Sequence, residues 1–237
     1  MRPWSSIPIA ESHESLVALP VDLLRLEPHP YARLGAPYGA EADPFRLRSG
    51  VLDRLLQAQG ILSEREPTLR LAIFDAWRPI DVQAFMVEHT IDALCLERGI
   101  RRDDPSQAAA VDVVMQDVAR FWAAPSRHPA TPPPHSTGAA VDLTLATVQG
   151  GQPLEMGSPI DAIGSVSEPD HFALAEEVPE RLFHQRRTLL REVMVAAGFA
   201  QHPNEWWHYS YGDQLWAWSS GVSTARYAEA PIKSATA

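Results

Sequence analysis

The sequence predicts an α+β fold, one domain with few strands and several helices. Two short stretches, 68–74 and 139–145, alternate apolar and polar residues as strands do. Four longer stretches carry apolar residues at helical spacing, and no repeat or flexible linker separates them. With 237 residues the chain buries a core without disulfide staples. Hydrophobic residues make up 45% and charged residues 21%, which excludes disorder of the whole chain.

The elements follow in order. Residues 1 to about 45 are rich in Pro, Gly and turn formers and read as an irregular arm. A first helix is expected over about 50–59, with Leu52, Leu55 and Leu56 on its apolar face and Gly60 as its cap. The strand T-L-R-L-A-I-F, 68–74, runs into Asp75-Ala76-Trp77-Arg78-Pro79, where Pro79 ends the strand and opens a helix over about 80–98. Gly99 stands where a left-handed cap belongs. Asp104-Pro105 starts a helix over about 105–123, striped by Val111, Val114, Met115, Val118 and Trp122. The run A-P-S-R-H-P-A-T-P-P-P-H-S-T-G cannot be regular structure. The strand A-A-V-D-L-T-L, 139–145, follows it, then a long loop over about 149–178 and a helix over about 179–197 capped by Gly198. E-W-W-H-Y-S-Y, 205–211, reads as a last, aromatic strand.

Charge and cysteine count narrow the function. The formal net charge of −10 argues against nucleic acid or an anionic membrane as a partner. No run approaches the roughly 18 apolar residues of a spanning helix, and the first ten residues lack the apolar stretch of a signal peptide. The single Cys95 excludes an intrachain disulfide and a cysteine-based zinc cluster, and a cytoplasmic location is expected.

Four clusters carry chemistry. On the strand 139–145, Asp142 shares a face with Ala140 and Thr144, opposite Val141, Leu143 and Leu145. His135 precedes it by a turn through Gly138, so an imidazole and a carboxylate can converge as two ligands of a metal. The plainer alternative is a turn-capping Asp142 and a surface His135. Glu205 and His208, in E-W-W-H, offer a base and a third ligand, yet residues three apart on a regular strand face opposite ways, so a bulge or twist is required. Arg78, fixed by Pro79, presents a rigid fork for a carboxylate or an oxyanion, or else pairs with Asp75 to brace the turn. Asp161, in M-G-S-P-I-D, either holds a substrate ammonium or makes a turn hydrogen bond.

Together, F-D-A-W-R-P, H-S-T-G-A-A-V-D-L-T-L, M-G-S-P-I-D and E-W-W-H-Y-S resemble the D-alanyl-D-alanine dipeptidases of the zinc DD-peptidase group, peptidase family M15, over residues about 20 to 220. The resemblance implies a small, mainly antiparallel sheet flanked by helices, with the metal on the sheet's open face. It implies one Zn²⁺ ion held by His135, Asp142 and His208, Glu205 as general base, Arg78 as oxyanion stabiliser and Asp161 at the substrate's amino end. The expected partner is a small D,D-dipeptide, cleaved in peptidoglycan metabolism or glycopeptide resistance. A carboxypeptidase on cell-wall peptides and a non-catalytic metal-binding domain are the alternatives. One departure stands out. The family commonly has Ser two residues before the first His ligand, and here that residue is Pro133, which predicts altered dipeptide preference unless Ser136 or Thr137 supplies the hydroxyl. The remaining histidines, His13, His29, His89, His128, His171, His184 and His202, are expected on the surface or in packing, with His128 and His202 as substitute ligands.

Overall fold

The computed structural model describes residues 2–39 and 42–231. The strand elements are β1 (Leu16–Ala18), β2 (Leu24–Arg25), β3 (Arg46–Arg48), β4 (Leu69–Asp75), β5 (Ala140–Thr147), β6 (Ala200–Gln201) and β7 (His208–Ser210). The helices are α1 (Pro30–Arg33), α2 (Ser49–Arg65), α3 (Ile80–Glu97), α4 (Ala108–Phe121), α5 (Val178–Ala196) and α6 (Gln214–Ser219). The main sheet has the order β2-β4-β5-β7-β6, antiparallel throughout except for the β2–β4 pair. The α+β class and the mainly antiparallel sheet are as the sequence predicts.

The two faces of β5 explain the layering. Val141, Leu143 and Leu145 point to the large core, where they meet Leu55 and Leu62 of α2 and Leu190 and Val193 of α5. Burying such side chains contributes about 1.5–3 kcal/mol each, so this face anchors the sheet. On the other side α3 and α4 form a second cluster with Tyr31, Tyr38 and Phe74. The opposite face of β5, with Ala140, Asp142 and Thr144, is left small and polar beneath that second layer.

Several expectations need correction. The N-terminal segment, expected as an irregular arm, is irregular over most of its described length but also supplies β1, β2 and α1, and β2 forms an edge of the main sheet. Strands of two or three residues are too short for alternation to reveal. The first helix does not stop at Gly60 but runs to Arg65. Open space surrounds Gly60, so it costs only its helix propensity, about 1 kcal/mol relative to Ala. The helix expected from 105 opens as a 3₁₀ turn over Pro105–Gln107, capped by the Asp104 side chain accepting from Ser106 N at 3.0 Å. The aromatic strand is confined to His208–Ser210, and Glu205, Trp206 and Trp207 precede it in a non-strand segment.

Candidate metal centre and catalytic cleft

Sheet register places the first acids. Asp142 on β5 pairs with His208 on β7, so both side chains project from one face. On the other flank, plain alternation would carry Asp75 to the core face with Leu71 and Ile73. A register shift between Ile73 and Asp75 intervenes and sets Asp75 opposite Asp142. Asp75, Asp142 and His208 thus form a row across three strands.

His135 arrives from a 3₁₀ turn, His135–Thr137, that closes on Gly138 at φ +72°. A side chain at Gly138 would be strained and would also collide with Leu16. The Nδ1 of His135 is 2.6 Å from the Ala76 carbonyl. A proton on Nδ1 donates to that oxygen and leaves Nε2 with its lone pair facing inward. Nε2 lies 3.1 Å from His208 Nδ1 and 3.1 Å from Asp142 Oδ2, and His208 Nδ1 lies 3.0 Å from Asp142 Oδ1. All three residues are buried.

This donor set fits a divalent metal. Tetrahedral N and O ligands at about 2.0–2.1 Å from zinc stand about 3.3 Å apart, close to the spacing found. Burial raises the Asp142 pKa, but His135 and His208 outweigh it and hold the carboxyl well below the usual range.

Arg78 is buried and tightly held. Its Nε and Nη2 donate to Asp75 Oδ2 at 3.0 and 2.7 Å, Nη1 donates to Gln83 Oε1 at 2.8 Å, and Nη2 lies 3.4 Å from Asp142 Oδ2. The plainer reading of Arg78, a pair with Asp75 that braces the turn, is present, and the guanidinium also faces the metal residues. Tyr31 completes this side, donating to Asp161 Oδ2 at 2.8 Å and accepting from Arg78 Nη2 at 3.3 Å. Asp161 has φ +66°, a left-handed backbone on a long loop. The loop is fixed by Arg187 of α5, which donates to the carbonyls of Met156, Val166 and Glu168. Burial, then the charge of Asp142, pushes the Asp161 carboxyl up to about 7.

Glu205 differs from Asp75 in having almost nothing bound to it. Its Oε1 is buried without a hydrogen-bond partner among the described residues; His202 Nδ1 lies 3.5 Å away and His208 Nδ1 is 3.8 Å from Oε2. Burial, then Asp142, pushes Glu205 up to about 8. Because Glu205 lies before the strand rather than on it, the alternation that would separate it from His208 does not apply. All six residues singled out from the sequence, Arg78, His135, Asp142, Asp161, Glu205 and His208, line one narrow cleft.

Several other residues reach the site that sequence reasoning misses or, as with His202, names only as a substitute ligand. Arg2, Gln83 and His202 also line this cleft, while His29 and Tyr31 reach it through Asp75 and Arg78. Of the two substitute histidines, His202 is buried beside Glu205 and His128 is exposed on the proline-rich loop. Ser136 and Thr137 do not offer a hydroxyl to the cleft: they donate to the Arg78 and Pro134 carbonyls at 2.8 and 2.6 Å. Pro133 is buried and lines an apolar groove beside the cleft, whereas its neighbour Pro134 lines the cleft itself.

Two imidazoles and a carboxylate, with a buried acid and a buried arginine beside them, make up the donor set of a metal-dependent hydrolase. Comparison with known proteins narrows this class. The family model described as D-Ala-D-Ala dipeptidase, peptidase family M15, matches residues 25–230. A D-alanyl-D-alanine dipeptidase of Synechocystis is 42% identical over 227 residues, 92% of this chain and 90% of that protein. One from Escherichia coli is 29% identical over 141 residues, 60% of this chain and 54% of that protein. Among solved structures, a VanY D,D-pentapeptidase in complex with Zn(II) covers 88% of both chains at 14% identity and a TM-score of 0.44. The chain belongs to the D-Ala-D-Ala dipeptidase family of metallopeptidases. Among its described residues, no helix is long and apolar enough to cross a membrane.

Proposed function

We propose that the protein is a zinc-dependent dipeptidase that hydrolyses D-alanyl-D-alanine or a close D,D-dipeptide, with one ion held by His135, Asp142 and His208. The observation that carries this reading is the convergence of His135 Nε2, His208 Nδ1 and the two Asp142 carboxylate oxygens, with neighbouring pairs at 3.0–3.1 Å, next to the buried Glu205 carboxyl whose Oε1 has no partner among the described residues. An ion held by these three residues would supply Lewis acidity to the scissile carbonyl and to the attacking water. Glu205, buried with its Oε1 unpartnered, accepts the proton of the attacking water and returns it to the leaving amine. Arg78 donates to the oxyanion as charge develops, and its bonds to Asp75 and Gln83 fix the guanidinium beforehand, so little reorganisation is needed. Asp161, held by Tyr31, receives the substrate ammonium. The reading places the reaction on a free dipeptide in the cytoplasm, which suits the single, buried Cys95.

The test is direct. Purified protein reconstituted with zinc is assayed against a panel of D,D- and L,L-dipeptides. One zinc per chain and turnover of D-alanyl-D-alanine well above the L,L-isomers are expected. Protein that retains no divalent metal, or that cleaves no D,D-dipeptide when loaded, overturns the reading.

A further inference from the structure

Arg2 lies at the far end of the sequence from every residue assigned above, yet it lines their cleft. It is fixed there. The N-terminal segment is fastened by Ala10 N donating to the Ala225 carbonyl at 2.9 Å and Gln214 Nε2 donating to the Ile7 carbonyl at 2.6 Å. Arg2 itself sits over the Trp4 ring at 5.5 Å and donates from Nη2 to the Phe121 carbonyl at 3.1 Å. Its remaining polar contact is Nη1 to His202 Nε2 at 3.4 Å, too long for a strong hydrogen bond. Among the described residues no carboxylate lies within ion-pair distance of it, in contrast to Arg78. A guanidinium carries five N–H donors in a fork that matches a carboxylate, and here the protein takes only one strong hydrogen bond from it, at the Phe121 carbonyl.

Position gives the charge a meaning. Asp161 stands on the Arg78 side of the metal residues, through Tyr31. Arg2 stands on the Glu205 side: His202 touches Arg2 with one ring nitrogen and faces Glu205 Oε1 with the other. Glu205 is the group that returns a proton to the leaving amine. In a free dipeptide that amine belongs to the C-terminal residue, whose carboxylate is separated from it by a single Cα. A cation on the Glu205 side is therefore where the substrate's negative end must fall.

Resting on the dipeptidase reading, we infer that Arg2 binds the C-terminal carboxylate of the substrate and sets the requirement for a free C-terminus. Arg2, Trp122, Ala123 and Pro134 also line the larger apolar groove next to the cleft, so Arg2 stands at the border between the two. A chain extended beyond the second residue would have to displace Arg2 to reach that groove. Asp161 and Arg2 together then match a zwitterion two residues long.

The experiment uses the zinc-loaded full chain and two probes, D-alanyl-D-alanine and its C-terminal carboxamide, which lacks the negative charge. Wild type is expected to favour the free acid. Arg2→Met is expected to raise KM for the free acid about 10- to 100-fold, the scale of a charge-assisted hydrogen bond, with kcat changed far less and the carboxamide's KM unmoved. Arg2→Lys, which keeps charge but not the fork, falls between. A wild type that treats acid and carboxamide alike overturns the inference without any variant. So does Arg2→Met if it leaves KM for the acid unchanged, or if it weakens acid and carboxamide equally, the mark of a merely structural arm. These failures leave dipeptide hydrolysis standing. A loaded wild type that cleaves no D,D-dipeptide removes the dipeptidase reading, and the role of Arg2 falls with it.

Discussion

Asp75 and Glu205 are both buried acids beside the His135–Asp142–His208 cluster, and their surroundings differ in what each carboxylate is given to bind. Asp75 Oδ2 takes two donors from Arg78, and Oδ1 takes His29 Nε2 at 3.0 Å and Tyr38 OH at 3.3 Å. Burial raises its pKa, but Arg78 and the His29 hydrogen bond overcome this and hold the carboxyl below its ordinary value. Glu205 has no such donors, and burial with a nearby Asp142 pushes it up. The same residue chemistry is made inert on one side by saturation and proton-hungry on the other by deprivation. A saturated ion pair fixes geometry, and a carboxylate with an unpartnered oxygen can trade a proton.

The largest expected effect removes the point around which both acids are arranged. His208→Ala deletes one of three proposed ligands, so the protein is expected to lose zinc on dialysis and activity with it, read by metal analysis and dipeptide turnover. Glu205→Gln comes next and separates base from ligand. It keeps size and leaves the three ligands alone, so zinc should remain near one per chain while kcat falls about 10²–10⁴-fold. If Glu205→Gln loses zinc while His208→Ala keeps it, the roles are exchanged and the contrast between the two acids collapses.

Asp75→Asn probes the saturated side and should act on stability. The change leaves the buried Arg78 short of a full countercharge, and breaking a buried pair of this kind costs about 3–5 kcal/mol. For a chain of this size the thermal midpoint should fall by roughly 10 °C. An unchanged midpoint would mean that the Asp75–Arg78–His29 cluster is not the rigid support described.

On both sides the chemistry-bearing residues are legible in the sequence, including the Asp75–Arg78 pair, but the supports of the Asp75 side, His29, Tyr31 and Tyr38, are not. A glycine turn and a strand whose polar face is visible by alternation mark His135 and Asp142 as candidates, and the family resemblance is what joins them to His208. Glu205 was legible by type and neighbourhood, though the strand drawn through it was wrong, because the aromatic run 205–211 has strand composition while only His208–Ser210 finds pairing partners. Asp75 reaches the site through a register shift, which leaves no mark on local periodicity. His29 and Tyr31 come from a proline-rich segment whose helix is four residues long and whose placement depends on contacts far along the chain. Arg2 meets His202 across 200 residues, a pairing that no local pattern encodes.

The smallest expected effect concerns Pro133 and sharpens the comparison on its open side. A hydroxyl added near Asp75 would find its carboxylate already occupied. On the Glu205 side acceptor capacity is free, and the wall beside His135 is made of Pro133 and Pro134, neither of which carries a donor. Ser136 and Thr137 cannot compensate, because both hydroxyls are bound to main-chain carbonyls. Pro133→Ser therefore restores a donor two residues before His135 without touching a proposed ligand. One net hydrogen bond is worth about 0.5–1.5 kcal/mol, so kcat/KM ratios among D,D-dipeptides should shift about two- to tenfold. Zinc content should stay the same, since the Pro133 carbonyl that receives Ser136 N at 3.0 Å survives the substitution and keeps the His135 turn closed. Unchanged ratios across the panel would show that position 133, which faces the neighbouring groove, does not reach the bound dipeptide. Loss of zinc would show instead that Pro133 holds the His135 turn by its ring, and that the open side depends on backbone stiffness more than on donors.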